Sequence, residues 1–155
     1  MNTTSNKDYG NAAFKNKEFI KAIDYYSAAL KETPTDHTIF GNRAAAFQNL
    51  KEYENALEDA EECIKLNPEW GKGYMRKAMA LHGRKKLWDS YQCFKKGIEI
   101  DPTNKQMLTG MHAVVKDHLA LQGNPQPIEA PGLDKLFIDA ETTEKLKVKL
   151  CDVNA

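Results

Sequence analysis

Residues 40–68, FGNRAAAFQNLKEYENALEDAEECIKLNP, contain two helical patterns that are separated by a short break. Small and bulky apolar residues recur three or four positions apart, first from Phe40 to Leu50 and then from Tyr53 to Leu66. This is the spacing of one face of an α-helix. Pro68 follows the second pattern, and proline cannot continue a helix. The stretch therefore predicts a helix (A), a tight turn at Leu50-Lys51-Glu52, a second helix (B) and a proline turn.

The same pattern recurs on both sides of this stretch at an interval of 34 residues. Pro34, Pro68 and Pro102 are separated by that interval. Small residues share it in four columns, which are Gly10/Ala44/Ala78, Ala12/Ala46/Ala80, Ala22/Ala56/Ser90 and Ala29/Cys63/Gly97. Such self-similarity indicates a helical repeat array. We expect helix pairs at about 4–16 and 19–32, 37–49 and 53–66, and 71–83 and 87–100, with helix N-caps at Thr35-Asp36 and Thr103-Asn104.

A seventh helix is predicted at about 104–122, where one face is apolar. That face comprises Met107, Met111, Val114, Val115 and Leu119. A terminal helix of this kind closes the core of a repeat array. The period, the prolines and the small-residue columns together resemble the tetratricopeptide-repeat (TPR) family over residues 3–122. The resemblance implies an all-α, right-handed superhelix of three units at about 3–36, 37–70 and 71–104, plus the capping helix, with residues 1–122 as the domain.

Composition excludes several classes of function. Lys and Arg together number 22, as do Asp and Glu, so the net charge is zero, which argues against a generic nucleic-acid binder. No apolar run reaches the roughly 18 residues of a membrane span, and the N-terminus has no signal-peptide pattern. Three cysteines without a CxxC pair are typical of a reduced, cytoplasmic protein. No nucleophile–base pattern, metal-ligand spacing or phosphate loop is present, so we expect neither catalysis nor a cofactor or metal.

Five polar residues of the predicted A helices suggest a binding groove, because A helices line the concave face of such an array. Lys7 and Asn11 are four residues apart, as are Lys72 and Arg76, and Arg76 follows Asn42 by 34 residues. None of the five is acidic. Amides and cations arranged in this way suit an extended, carboxylate-rich ligand. Each residue taken alone would be read as ordinary solvated surface.

Short strings around these residues carry a more specific resemblance. They are Lys7-Asp8-Tyr9-Gly10-Asn11, Gly41-Asn42-Arg43-Ala44-Ala45 and Lys72-Gly73-Tyr74-Met75-Arg76-Lys77-Ala78. They resemble the two-carboxylate clamp of chaperone-binding TPR domains. Two further strings, residues 67–74 (NPEWGKGY) and 25–30 (YYSAAL), are similar to the first TPR domain of the heat-shock organising co-chaperone (Hop/Sti) family.

The resemblance implies a ligand and a role for each residue. The clamp of that family grips the free C-terminus of a cytosolic heat-shock chaperone, which ends Glu-Glu-Val-Asp. Lys7, Asn11 and Asn42 would hold the terminal Asp with help from Lys72, whereas Arg76 and Lys72 would bind further upstream. Phe14 and Ala45 are candidates for a pocket under the valine, or for plain helix packing. The family's first TPR domain prefers the 70-kDa chaperone, but the clamp residues alone do not exclude the 90-kDa class.

Two other functions remain open at this stage. The chain could be an accessory domain of a longer enzyme, since clamp-bearing TPR domains accompany prolyl isomerases and phosphatases. It could also be an assembly scaffold with a non-chaperone partner. We expect a monomer, with self-association through the tail as the alternative. Residues 123–132 are predicted to be a Pro-rich linker. For residues 133–155 the sequence leaves open one or two short helices that pack on the capping helix, a loose tail, or a swap onto a neighbour; the family's Asp-Pro-rich module is not matched there.

Overall fold

The computed structural model describes residues 3–122, and this range contains seven α-helices. They are α1 (Asn6–Lys15), α2 (Phe19–Glu32), α3 (His37–Asn49), α4 (Tyr53–Leu66), α5 (Gly71–Gly83), α6 (Leu87–Ile100) and α7 (Lys105–Gln122). The predicted all-α array of three helix pairs and a terminal helix is confirmed. The predictions for residues 123–155, and for the side chain of Leu119, lie outside the described residues.

Side-chain caps explain where several helices begin. Helix α1 begins at Asn6 rather than at residue 4, because Ser5 and Asp8 form a capping box. The Asp8 amide donates to the Ser5 hydroxyl oxygen, and the Ser5 amide donates to the Asp8 carboxylate. The Asp36 carboxylate accepts from the Thr38 amide at 3.0 Å and caps α3. Asn104 accepts from the Met107 amide at 3.1 Å in the same way at the start of α7.

Each A helix ends in a left-handed turn that repeats along the chain. Lys17, Lys51 and Lys85 have φ angles of 62°, 60° and 62°. In the second unit the Lys51 amide donates to the Gln48 carbonyl and the next amide donates to the Phe47 carbonyl, both at 2.9 Å. This pair of bonds is a Schellman motif, which satisfies the last carbonyls of the helix and reverses the chain. The break predicted at Leu50-Lys51-Glu52 therefore has a specific backbone cause.

The helices form two layers. Helices α1, α3, α5 and α7 contact one another in succession and make the inner layer, while α2, α4 and α6 pack outside them. The small-residue columns are buried between the layers, except for Ala12, which is exposed. The larger apolar cluster joins α5, α6 and α7; it comprises Met75, Ala78, Leu87, Tyr91, Phe94, Ile98, Met107, Met111, Val114 and Val115. Helix α7 thus closes the core as predicted.

A partly buried ion pair joins the two helices of the second pair, and one further hydrogen bond connects it to the first pair. The Arg43 guanidinium on α3 donates to both carboxylate oxygens of Asp59 on α4, each at 2.7 Å, and to the Ser27 hydroxyl on α2 at 3.0 Å. The Asp59 side chain is only 7 % exposed. The bidentate pair therefore holds α3 against α4, and the Arg43–Ser27 hydrogen bond connects α3 to α2 of the first pair. Within residues 3–122, no helix has both the length and the apolar content needed to cross a membrane.

Candidate functional site

A cavity of about 190 Å³ lies on the inner face of the array. Its walls come from α1, α2, α3 and α5, and the lining residues are Asn11, Phe14, Tyr26, Asn42, Ala45 and Arg76. Five of the seven residues that the sequence singled out therefore surround one hollow. Lys7 and Lys72 do not line it.

The two asparagines are connected through one oxygen atom. Asn42 Nδ2 donates to Asn11 Oδ1 at 3.2 Å, and the Tyr26 hydroxyl on α2 donates to the same oxygen at 2.7 Å. Burial raises the pKa of Tyr26 to about 12, so its hydroxyl keeps its proton at neutral pH and remains a donor. These contacts leave the Nδ2 group of Asn11 available to donate to a ligand.

Arg76 contributes a partly buried cation. Its Nε atom is fully buried and makes no hydrogen bond within the described part of the chain. Burial lowers the pKa of the guanidinium, with Cys63 and Tyr26 acting in the opposite sense, but an arginine in a protein stays protonated. A desolvated charge without a carboxylate partner is costly, and an anion entering the cavity would offset that cost.

Lys7 lies one turn before Asn11 on α1 and already has an anionic partner. Its Nζ donates to Asp36 Oδ2 at 2.9 Å, and the two side chains are 34 % and 29 % exposed. Lys72 lies one turn before Arg76 on α5 and is exposed. Residues four apart share a helix face, so each lysine lies on the same face of its helix as the cavity-lining residue one turn later.

The groove continues beyond the first cavity. Two further hollows, of about 320 Å³ and 470 Å³, also have Arg76 in their walls. The larger reaches α6 and α7 and is bordered by Met79, His82, Phe94 and Ala113, among others. His82 Nε2 lies 2.6 Å from Asp117 Oδ2 and joins α5 to α7 there. The inner face thus offers a groove from α1 past Arg76 to α7, which suits an extended chain rather than a compact ligand.

Two residues of the site were missed by the sequence analysis. Tyr26 lies on a B helix, whereas the predicted groove residues are on A helices; Gly10 is the one signal for it, since a glycine inside a helical pattern indicates a packing or functional reason. Asp36 was identified as a helix cap but not as the partner of Lys7, because the two are 29 residues apart. Among the described residues, no group of three His, Cys, Asp or Glu side chains is placed to hold a metal ion.

Known proteins resemble this chain in sequence and in structure. The sequence profile described as "Tetratricopeptide repeat" matches residues 38–69. The chain is 39 % identical over 143 residues to "Heat shock protein STI1" of Saccharomyces cerevisiae, in an alignment that covers 91 % of this chain and 23 % of the yeast protein. The chain therefore spans less than a quarter of the length of that relative.

Solved structures match over most of the described helices. The Sgt2 TPR domain from Aspergillus fumigatus superposes with a TM-score of 0.72 at 30 % identity, covering 79 % of this chain and 83 % of that domain. The second TPR domain of human RPAP3, solved in complex with the HSP70 peptide SGPTIEEVD, superposes with a TM-score of 0.68 at 29 % identity. The match covers 72 % of this chain and 92 % of that domain.

Proposed function

Because the chain belongs to the tetratricopeptide-repeat family, we propose that its inner groove binds the free, acidic C-terminus of a cytosolic heat-shock chaperone. The proposed ligand ends Glu-Glu-Val-Asp, and the proposed binding unit is residues 1–122. We propose a co-chaperone module in the cytosol that binds without catalysis. The observation that carries the proposal is the buried Arg76 Nε, which has no partner in a cavity whose other polar walls are amides and a hydroxyl.

The comparisons support the chemical class of the ligand. The yeast relative is a heat-shock protein by name, and the RPAP3 domain is solved with a peptide that ends Glu-Glu-Val-Asp. Such a peptide presents two carboxylates at its last residue and two more on its glutamates. Amide donors and cations on neighbouring helices match those groups, and charge-assisted hydrogen bonds are about twice as strong as neutral ones.

Each wall residue has a proposed role. Asn11 and Asn42 donate to the terminal Asp, and Lys7 and Lys72 contribute positive charge at the rim. Arg76 binds upstream carboxylates or carbonyls through the part of its guanidinium that lines the cavity. Phe14 and Ala45 supply the apolar wall for the valine. An ordering cost for the flexible peptide offsets part of this gain. We expect affinity of the order of micromolar, about −8 kcal/mol, that weakens with added salt.

Titration with the peptide SGPTIEEVD by isothermal calorimetry tests the proposal. The free-acid peptide should bind, whereas the same peptide with an amidated C-terminus should bind at least about tenfold more weakly, because it loses one charge and one acceptor oxygen. A peptide with the same composition in scrambled order is the control for non-specific attraction. Equal binding of the acid and the amide contradicts the proposal.

We further propose that the 70-kDa chaperone is preferred over the 90-kDa class. The hollow bordered by Met79, His82 and Phe94 lies beyond Arg76, where residues upstream of the shared Glu-Glu-Val-Asp would reach. Competition between tail peptides of the two classes, with one labelled for fluorescence anisotropy, measures the preference. A lower inhibition constant for the 90-kDa tail would reverse it.

A further inference from the structure

We infer that Tyr26 is a positioning residue of this groove: its hydroxyl holds the Asn11 side chain so that the amide NH₂ group is directed at the ligand. Its binding consequence rests on the function proposed above. Tyr26 is on α2, an outer-layer helix, yet it reaches through the inner layer to line the cavity. We expect it to act through Asn11.

The hydrogen bonds decide the orientation of the Asn11 amide. Asn11 Oδ1 accepts from the Tyr26 hydroxyl at 2.7 Å and from Asn42 Nδ2 at 3.2 Å. A carbonyl oxygen has two lone pairs, and these two donors occupy both. If the amide turned by 180°, its NH₂ group would face the NH₂ group of Asn42, and both contacts with Asn11 Oδ1 would be lost. The oxygen therefore stays inward and Nδ2 stays directed at the ligand.

The position of the Tyr26 hydroxyl is itself fixed by packing. The side chain is 1 % exposed and belongs to the core cluster that α1, α2 and α3 form together. Gly10, the residue before Asn11, lets the ring approach α1, since a Cβ atom there would lie 2.6 Å from both Cδ1 and Cε1 of the ring. The glycine and the asparagine are adjacent in sequence. The same close approach that seats the ring therefore brings its hydroxyl to the Asn11 amide.

A donor that is already oriented loses less conformational entropy when a ligand binds than one that must first be ordered. Replacing Tyr26 with Phe keeps the ring in the core and removes only the hydroxyl. The Asn11 amide then keeps a single anchor, from Asn42, and gains rotational freedom. The expected result is weaker binding of a C-terminal carboxylate with little change in the fold.

A double-mutant cycle with the peptide SGPTIEEVD tests this inference. We expect Tyr26→Phe to weaken binding of the free acid by about three- to tenfold, the equivalent of one net hydrogen bond. In an Asn11→Ala background the same change should cost less than about twofold, because the residue through which it acts is absent. Tyr25→Phe is the matched control; that ring stacks on Tyr9 away from the cavity and should leave the affinity unchanged.

A measurement on the free protein separates this inference from the proposed function. In ¹⁵N-labelled protein, the side-chain amide signals of Asn11 should shift and exchange faster with solvent in Tyr26→Phe, and stay unchanged in Tyr25→Phe. Unchanged Asn11 signals, or an equal loss of affinity with and without Asn11, overturns the positioning role. If Tyr26→Phe shows the Asn11 effect but the wild type binds no peptide, the positioning role stands and the proposed function fails.

Discussion

Lys7 on α1 donates to the carboxylate of Asp36 at the N-terminus of α3, with 2.9 Å between Nζ and Oδ2. The other oxygen of Asp36 accepts from the amide and the hydroxyl of Thr38. One carboxylate therefore caps α3 and also pairs with Lys7, one turn before Asn11 on α1. A ligand carboxylate that reaches Lys7 must share the ammonium group with Asp36 or displace it.

Changing Asp36 to Asn should strengthen binding of an acidic C-terminal peptide by about two- to fivefold. The change removes the carboxylate that competes with the peptide for Lys7, and a partly exposed ion pair of this kind is worth at most about 1 kcal/mol. Asparagine caps a helix as well as aspartate does, so α3 should persist. Calorimetric titration measures the gain. Asp24→Asn, at an exposed position on α2, makes the same charge change away from Asp36 and should have no effect. Weaker binding by Asp36→Asn would show that the pair instead holds Lys7 in place for the ligand.

The pH dependence of stability should differ between the wild type and Asp36→Asn. Desolvation alone would raise the pKa of Asp36, but hydrogen bonds from Thr38 and Lys7 outweigh it and hold that pKa below its ordinary value of 3.8. The carboxylate therefore stabilises the fold above pH 3.8, and this contribution is lost as the pH falls through the lowered value. Urea denaturation at several pH values should show the two proteins converging in acid. A constant difference between them would contradict this.

Arg76→Ala should weaken binding of the acidic peptide by more than about tenfold, because hydrogen bonds to charged groups are the stronger ones. Stability should change little, since the variant also removes a desolvated cation whose Nε has no partner. Lys96→Ala removes one positive charge from an exposed position on α6 and is the control for long-range attraction. Equal losses in the two variants would indicate that net charge, rather than the cavity, attracts the peptide.

Asp59→Asn should lower the free energy of unfolding by about 3 kcal/mol, because it leaves the Arg43 guanidinium partly buried without an anion. The change conserves shape, so the effect reports on the ion pair rather than on a void. Chemical denaturation measures the loss. Glu62→Gln is the comparison, since its pair with Lys65 is exposed and spans 3.8 Å, and it should change stability by less than about 0.5 kcal/mol. Similar effects of the two variants would show that the Arg43–Asp59 pair does not hold α3 against α4.

Gly110→Ala should destabilise the docking of α7, although alanine favours helix formation. A Cβ atom at Gly110 would overlap the ring of Phe94, which is fully buried. Overpacking of this kind costs about 1–3 kcal/mol, which exceeds the propensity gain of about 1 kcal/mol. Thermal unfolding followed by circular dichroism measures the difference. Thr109→Ala, at the exposed neighbouring position, is the control, and a Gly110 variant that is as stable as this control would show that the ring can move aside.

The sequence predicted the helices and their order because the signals for them are local. Apolar spacing, prolines after each B helix and the 34-residue interval act within one helix or one turn. The helix limits were therefore right to within two residues. The break in the apolar pattern located the turns at Lys17, Lys51 and Lys85. Their left-handed φ angles could not be predicted, because none of these positions is a glycine, the residue that usually indicates a positive φ.

The sequence by itself determined the repeat architecture and the candidates Asn11, Asn42 and Arg76, because residues at one face of a helix follow from a period, while the family resemblance added Phe14 and Ala45. Only the tertiary structure decided which atoms meet. Asn11 shares its oxygen with Tyr26 and Asn42, which are 15 and 31 residues away, and Lys7 pairs with Asp36. Those contacts depend on how closely small residues let neighbouring helices pack, and a hydrogen bond is made or lost over a few tenths of an ångström.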